Sequence, residues 1–170
     1  MSLKQFQSLD GGLRTSIVER IEFRKHRFLA LTKKGDFSPA AKVLIVGDCP
    51  APDAPVDPSF HYTPFGALCN SSLFINIELE KAGIEEDELA WVNARDVNKQ
   101  YTDPAILNHP WKLIVALGGQ AEKWVLMNKK KCVRVSHPSF HKRFHSKERY
   151  NLIPILKKVC NGVVGNIGSN

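Results

Sequence analysis

No apolar run in the chain approaches the roughly 18–20 residues that cross a bilayer, so a membrane span is excluded. The first ten residues, M-S-L-K-Q-F-Q-S-L-D, lack the apolar stretch and small-residue cleavage site of a secretory signal, which points to the cytoplasm. No C-x-x-C pair occurs among Cys49, Cys69, Cys132 and Cys160, so the sequence supports neither a zinc nor an iron–sulfur site. Reduced thiols are the expectation in that compartment. Neither G-x-x-x-x-G-K-[ST] nor G-x-G-x-x-G is present, so the usual phosphate-cradling loops are missing. Internal repeats and low-complexity tracts are absent too. We therefore expect a monomer with no metal and no other cofactor.

What is present fits one folded domain over residues 1–170. Hydrophobic residues make up 43% of the chain, enough for a full core at this length. Lys and Arg total 24 against 17 Asp and Glu, a formal charge of +7. A basic excess by itself is a weak argument for nucleic acid. Its placement says more. Lys129, Lys130 and Lys131 precede the segment V-R-V-S-H-P-S, and Lys142, Arg143, Lys147 and Arg149 follow it. Solvated surface and phosphate contact are both open for either cluster.

Hydrophobic periodicity sets out the elements. Leu13, Ile17, Ile21 and Phe28 predict a helix over about 13–33, closed by Gly35 and Pro39. Val43–Val46 reads as a buried strand. Five prolines between 50 and 64 predict an extended loop. Leu68, Leu73, Ile75, Leu79 and Ala82 mark a helix over about 66–82, with Gly83 as its stop. Leu89–Asn93, Leu113–Leu117 and Val133–Val135 read as three further strands. A short helix is expected near Asp103-Pro104, another from about 120 to 127 after Gly118-Gly119, and a last one over about 146–160 that Pro154 would kink or delay. The glycine-rich tail over 161–170 is expected to fray. Strands alternating with helices predict an α/β fold, three-layer α/β/α around a mostly parallel four-stranded sheet.

In such sheets ligands bind beyond the carboxyl ends of the strands. Asp48, Asn93 and His137 all fall there. A carboxylate at 48 can orient water, accept a proton or stabilise a cation, or simply cap a turn. His137 can donate to an oxygen gaining negative charge, or be a structural histidine. Asn93 presents a donor and an acceptor on one planar amide, suited to the edge of a base, or forms a turn. Phe65 offers a flat ring for stacking, or packs in the core.

The order of these segments carries more than any one of them. Gly47-Asp48-Cys49-Pro50, Pro64-Phe65-Gly66-Ala67, Val92-Asn93, the run L-I-V-A-L-G-G from Leu113 to Gly119, and His137-Pro138-Ser139 follow one another along the chain. This series resembles the uracil-DNA glycosylase superfamily over about residues 42–145. The resemblance implies a monofunctional, metal-independent glycosylase that binds DNA, single- or double-stranded, and hydrolyses the N-glycosidic bond of a flipped uracil or modified pyrimidine. It implies that Asp48 helps water attack the sugar C1′, with Gly47 and Cys49 lining the substrate on either side. Phe65 would stack on the extruded base, Asn93 would read its edge, His137 would stabilise charge on its oxygen, and Ser139 would contact phosphate. Lys142, Arg143 and Lys147, just beyond, would add phosphate contacts.

The sequence departs from the family in three places. Ala51 stands where the strictly uracil-specific branch has a Tyr that excludes a 5-substituent, which leaves room for thymine or a larger pyrimidine. The four-cysteine pattern of the iron–sulfur branch is missing. Phe140-His141-Lys142-Arg143-Phe144 replaces the usual proline–leucine wedge, leaving Phe140 and Phe144 open either as wedge or as core. Two other functions remain alongside hydrolysis: an enzyme that modifies or transfers groups onto a flipped pyrimidine, and a non-catalytic DNA- or base-binding module, since one fold hosts many functions.

Overall fold

The computed structural model describes residues 7–34, 41–50, 65, 70–145 and 147–160. The proline-rich stretch 51–64, the beginning of the helix expected at 66, Phe28 as a packing residue and the tail from 161 lie outside the described residues or side chains. Helix α1 spans Gly11–Lys34. Its start follows from Asp10, whose carboxylate accepts from the N–H groups of Gly12 at 2.9 Å and Leu13 at 3.2 Å. Those donors have no partner inside the helix, and an Asp at this position supplies one. The helix therefore begins two residues ahead of its first apolar position.

The strands are β1 (Val43–Gly47), β2 (Leu89–Asn93), β3 (Leu113–Leu117) and β4 (Val133–Val135). They pair in the order β2-β1-β3-β4, and every pairing is parallel. The sheet is thus wholly parallel, more regular than expected. Helix α2 (Asn70–Lys81) joins β1 to β2, and α3 (Gly119–Met127) joins β3 to β4. These two connections run in opposite directions across the sheet. Right-handed crossovers then put α2 and α3 on opposite faces.

Side chains of a strand alternate between faces, and the core divides accordingly. One face buries Val43, Ile45, Leu89, Trp91, Val115, Leu117 and Val135 under Ile75 and Leu79 of α2 and Leu152, Ile153 and Leu156 of the last helix. The other buries Leu44, Val46, Ala90, Val92, Ile114 and Ala116 under Ala121, Trp124 and Val125 of α3. Helix α1 lies on the α2 side, where Ile17 and Ile21 meet Leu73 and Ile77. The result is a three-layer α/β/α fold. No helix among the described residues is long and apolar enough to cross a membrane.

The C-terminal region differs from expectation. The helix expected over 146–160 starts later and is shorter, α5 (Leu152–Lys157), and a helix that was not expected, α4 (Pro138–Phe144), precedes it. Pro138 starts α4 because its missing N–H costs nothing in a first turn and its φ is already helical. Pro154 is tolerated in α5 for the same reason, being its third residue. Between the helices, buried Tyr150 donates to the Ser136 carbonyl at 2.7 Å, tying the start of α5 to the exit of β4. The helix expected near Pro104 is a short 3-10 segment, Pro104–Asn108, capped by Asp103.

Candidate functional site

In a parallel sheet wound in two directions, a crevice opens where the connections diverge, here between the carboxyl ends of β1 and β3. Asp48 leaves β1, Asn93 closes β2, Gly118 leaves β3 and His137 follows β4, so all four stand at one edge. Gly118 adopts φ +96°, and a Cβ there would come within 3.7 Å of the His137 Cβ. That distance is ordinary contact, so the left-handed φ, not the space, is what calls for glycine where β3 turns into α3.

His137 is the N-cap of α4. Its Nδ1 accepts from the backbone N–H of Ser139 at 3.2 Å, and the Ser139 hydroxyl lies 2.8 Å from the same nitrogen. A backbone N–H can only donate, so Nδ1 carries no proton and the neutral ring keeps its proton on Nε2. Burial pushes the His137 pKa below its ordinary value, and the nearby Asp48 carboxylate pulls it partly back. The ring is therefore neutral near pH 7, with Nε2–H as its donor.

Phe65 stands beside it, ring centroids 5.8 Å apart, and meets Trp91 edge-on at 6.0 Å. Its φ of +57° lies in the left-handed region, an uncommon conformation for an aromatic residue that costs on the order of 1–3 kcal/mol. Two hydrogen bonds to its carbonyl hold it there, from Ser72 Oγ at 2.8 Å and Arg24 Nη1 at 3.3 Å.

Asn93 is 3% exposed, yet no described residue hydrogen-bonds to its side-chain amide. Its backbone carbonyl is taken by Thr102 Oγ1 at 2.6 Å. The enclosed unpaired side-chain atoms among the described residues are Arg14 Nε and Arg20 Nε, so the Asn93 amide is not sealed in and its hydrogen-bonding atoms reach the surface of the sheet edge. Asn93 shares its sheet face with Trp91, and its register partner Gly47 shares the face with Ile45. Gly47 puts only hydrogen beside the amide, which leaves space on the face that carries Phe65.

Asp48 is held by Arg95. The guanidinium donates to one oxygen, Oδ1, through Nε at 3.1 Å and Nη2 at 2.6 Å, while the Arg95 backbone N–H donates to the Asp48 carbonyl at 2.9 Å. The bond to Asp48 is the chief reason the Arg95 pKa rises. Oδ2 has no partner among the described residues. Cys49 lies beside it with Lys99 Nζ 2.9 Å from its sulfur. Ser139 is occupied with His137, and Lys142, Arg143 and Lys147 lie on or just after α4, on the same side of the sheet as the other residues. Lys129–Lys131 do not flank this edge. They form the turn after α3, at the amino end of β4, because three strand residues separate them from His137.

The structure adds two features that sequence reasoning missed. One is Arg95, two residues past Asn93. The other is a buried ionic cluster behind Phe65. Glu86 accepts from Arg20 Nη1 at 3.0 Å, Arg24 Nη2 at 2.9 Å, Arg24 Nε at 3.2 Å and Trp91 Nε1 at 2.6 Å. Arg24 also donates to Asn76 Oδ1 at 2.7 Å and lies over the Trp91 ring, 3.7 Å from its centroid. A signal for it exists in the sequence. Arg20 and Arg24 fall on the same 3.6-residue stripe as Ile17 and Ile21, the buried one. Among the described residues, no group of three His, Cys, Asp or Glu side chains is placed to hold a metal ion. The chain matches no protein-family model and no curated protein.

Proposed function

We propose that this chain is a DNA glycosylase that hydrolyses the N-glycosidic bond of a flipped uracil or modified pyrimidine. The observation that carries the reading is the unpaired Asn93 amide on the face where Phe65 and the neutral His137 meet. An aromatic ring to stack on, an amide to read a base edge and an N–H donor for a base oxygen are the three parts such a pocket needs. The order of the sequence segments supports the same reading.

The chemistry follows from the charges. When the bond between C1′ and the base nitrogen breaks, its electron pair leaves with the base and the sugar becomes cationic. His137 Nε2–H stabilises the negative oxygen on the base. Asp48 stands for the other end of the separation. Arg95 fixes its Oδ1, and Oδ2 accepts a proton from the water that attacks C1′. The products are an abasic sugar and the free pyrimidine, reprotonated from solvent. Extruding the base costs a few kcal/mol, and phosphate contacts from Lys142, Arg143 and Lys147 offset part of that.

The Asp48–Arg95 pair favours a second reading, a base-binding module without hydrolysis, because the guanidinium already offsets the negative charge that would stabilise a sugar cation. Single-turnover incubation with oligonucleotides carrying uracil, thymine and 5-hydroxymethyluracil separates the two. Abasic sites on at least one substrate are expected. Binding of modified DNA with no abasic sites on any would leave the binding module, and a mass gain on the base would indicate group transfer.

A further inference from the structure

Helix α4 has two unlike sides. Pro138 and His141 are buried, and His141 packs against Phe74 and Tyr150 with ring centroids 5.9 and 5.0 Å away. Around the helix from them, Phe140 and Phe144 are 49% and 60% exposed. They are the most exposed aromatic residues among those described, and their rings pack on each other at 4.8 Å between centroids. Spacing of four residues puts them on one stripe. Arg143 borders that stripe, its guanidinium carbon 5.9 Å from the Phe144 ring centroid. Ser139, four residues before Arg143, continues this side of the helix to His137.

The surroundings are basic. Lys142, Arg143, Lys147 and Arg149 face one acid in this stretch, Glu148, and its carboxylate is engaged by His145 Nδ1 at 3.3 Å. Two flat apolar rings bordered by cations match the chemistry of an unpaired nucleotide: a base face for the rings and phosphates for the cations. Duplex DNA offers phosphates but keeps its base faces stacked within the helix.

We propose that the Phe140–Phe144 face of α4 is a stacking platform for an unpaired DNA base next to the flipped one, so that single-stranded DNA is the preferred form of the polymer. This rests on the reading of the chain as DNA-binding, and it adds strandedness to it. Arg143, beside the Phe144 ring, holds the phosphate of the stacked nucleotide. The platform begins one helical turn from His137, so the strand runs from the platform into the site.

The test is fluorescence anisotropy with a thymidine-rich single strand and with the same strand in a duplex, for the full-length protein. The wild type should bind the single strand more tightly. Phe140→Ala/Phe144→Ala should weaken that binding by roughly 5- to 150-fold, the cost of one lost base–aromatic stack, and change duplex binding less than twofold. Phe140→Tyr/Phe144→Tyr should restore it. Arg143→Gln should instead reduce the salt slope on the single strand by about 0.7. Both phenylalanines are exposed, so the melting temperature should hold, and circular dichroism checks it. Equal losses on the two DNA forms, no loss on either, or a wild-type dimer that dissociates in the double alanine variant would each overturn the platform. Base release is read separately. A platform that binds single strands without release sinks the glycosylase reading alone. Release from single strands by a double variant that binds as well as the wild type sinks the platform alone.

Discussion

The two faces of the sheet are built by different rules. The α3 face is an ordinary apolar core: small residues Ala90, Ala116 and Ala121 leave room for the fully buried Trp124. The α1/α2 face has an aliphatic core as well, but it also buries Arg20, Arg24, Glu86 and Asn76. Burying ions does not raise stability over an apolar core, because desolvation offsets the attraction between them. What the ionic cluster does provide is direction. Arg24 reaches the Phe65 carbonyl and covers Trp91, the ring that Phe65 meets edge-on. An apolar contact would permit sliding, whereas a charged hydrogen-bond fork fixes a position. The face that carries the candidate site is thus the one where placement is specified, and the opposite face supplies bulk stability.

The sharpest way to break this contrast is to damage both faces equally. Glu86→Ala removes the carboxylate that Arg20 and Arg24 share and takes the acceptor from the Trp91 N–H, and should cost about 3–5 kcal/mol. Trp124→Ala should cost about 3–5 kcal/mol on the far side. Denaturant unfolding gives both values. Base binding measured well below each melting point should fall for Glu86→Ala and stay near wild type for Trp124→Ala; equal losses would erase the distinction.

Next in size are the residues at the sheet edge. His137→Ala and Asp48→Asn should each slow single-turnover base release by on the order of 100- to 1,000-fold with little change in DNA affinity. Wild-type release from Asp48→Asn would remove that acid from the chemistry. A smaller effect is expected one step back. Arg24→Met keeps the length of the side chain but removes the donor to the Phe65 carbonyl together with the bonds to Glu86 and Asn76, so it should lower the melting temperature and, measured below it, raise KM roughly tenfold while kcat holds, as the loss of a charge-assisted hydrogen bond to the stacking ring's backbone would. A fall in kcat alone would contradict a role in placing the stacking ring.

The smallest effect is on pH dependence. His137 binds its proton less readily in the folded chain than its ordinary pKa of 6.5. Below about 6.5 the unfolded chain takes up that proton first, so stability falls with acidification until the depressed native value is passed, and is flat above 6.5. His137→Gln should remove this part of the slope between neutral and mildly acid pH. Melting curves of the two proteins that stay parallel across that range would argue against a half-buried, neutral His137.

The sequence reading and the fold agree where local pattern decides. β2, β3 and β4 have the residue bounds that their β-branched and apolar runs indicate, and Gly83 ends α2 with φ +69° as a left-handed stop. The reading failed at α4, where H-P-S looks like a loop and is a helix N-terminus with the imidazole as cap. Histidine is not a usual capping residue, so no propensity rule indicates it. Arg95 and Glu86 were illegible for a different reason. Asp48 and Arg95 are 47 residues apart, and Arg24 and Glu86 are 62 apart. No local spacing encodes such pairs.

By itself the chain determined its alternation of strands and helices, the parallel sheet that this alternation requires, and the convergence of Asp48, Asn93 and His137 on one edge. Periodicities of 2 and 3.6 residues are properties of short segments, and strand ends in a parallel sheet share a side automatically. Tertiary structure alone decided the protonated nitrogen of His137, the partner of Asp48, the freedom of the Asn93 amide and the ionic frame behind Phe65. Each depends on which polar atoms remain for one another after the layers pack, and that is settled by distances across the fold.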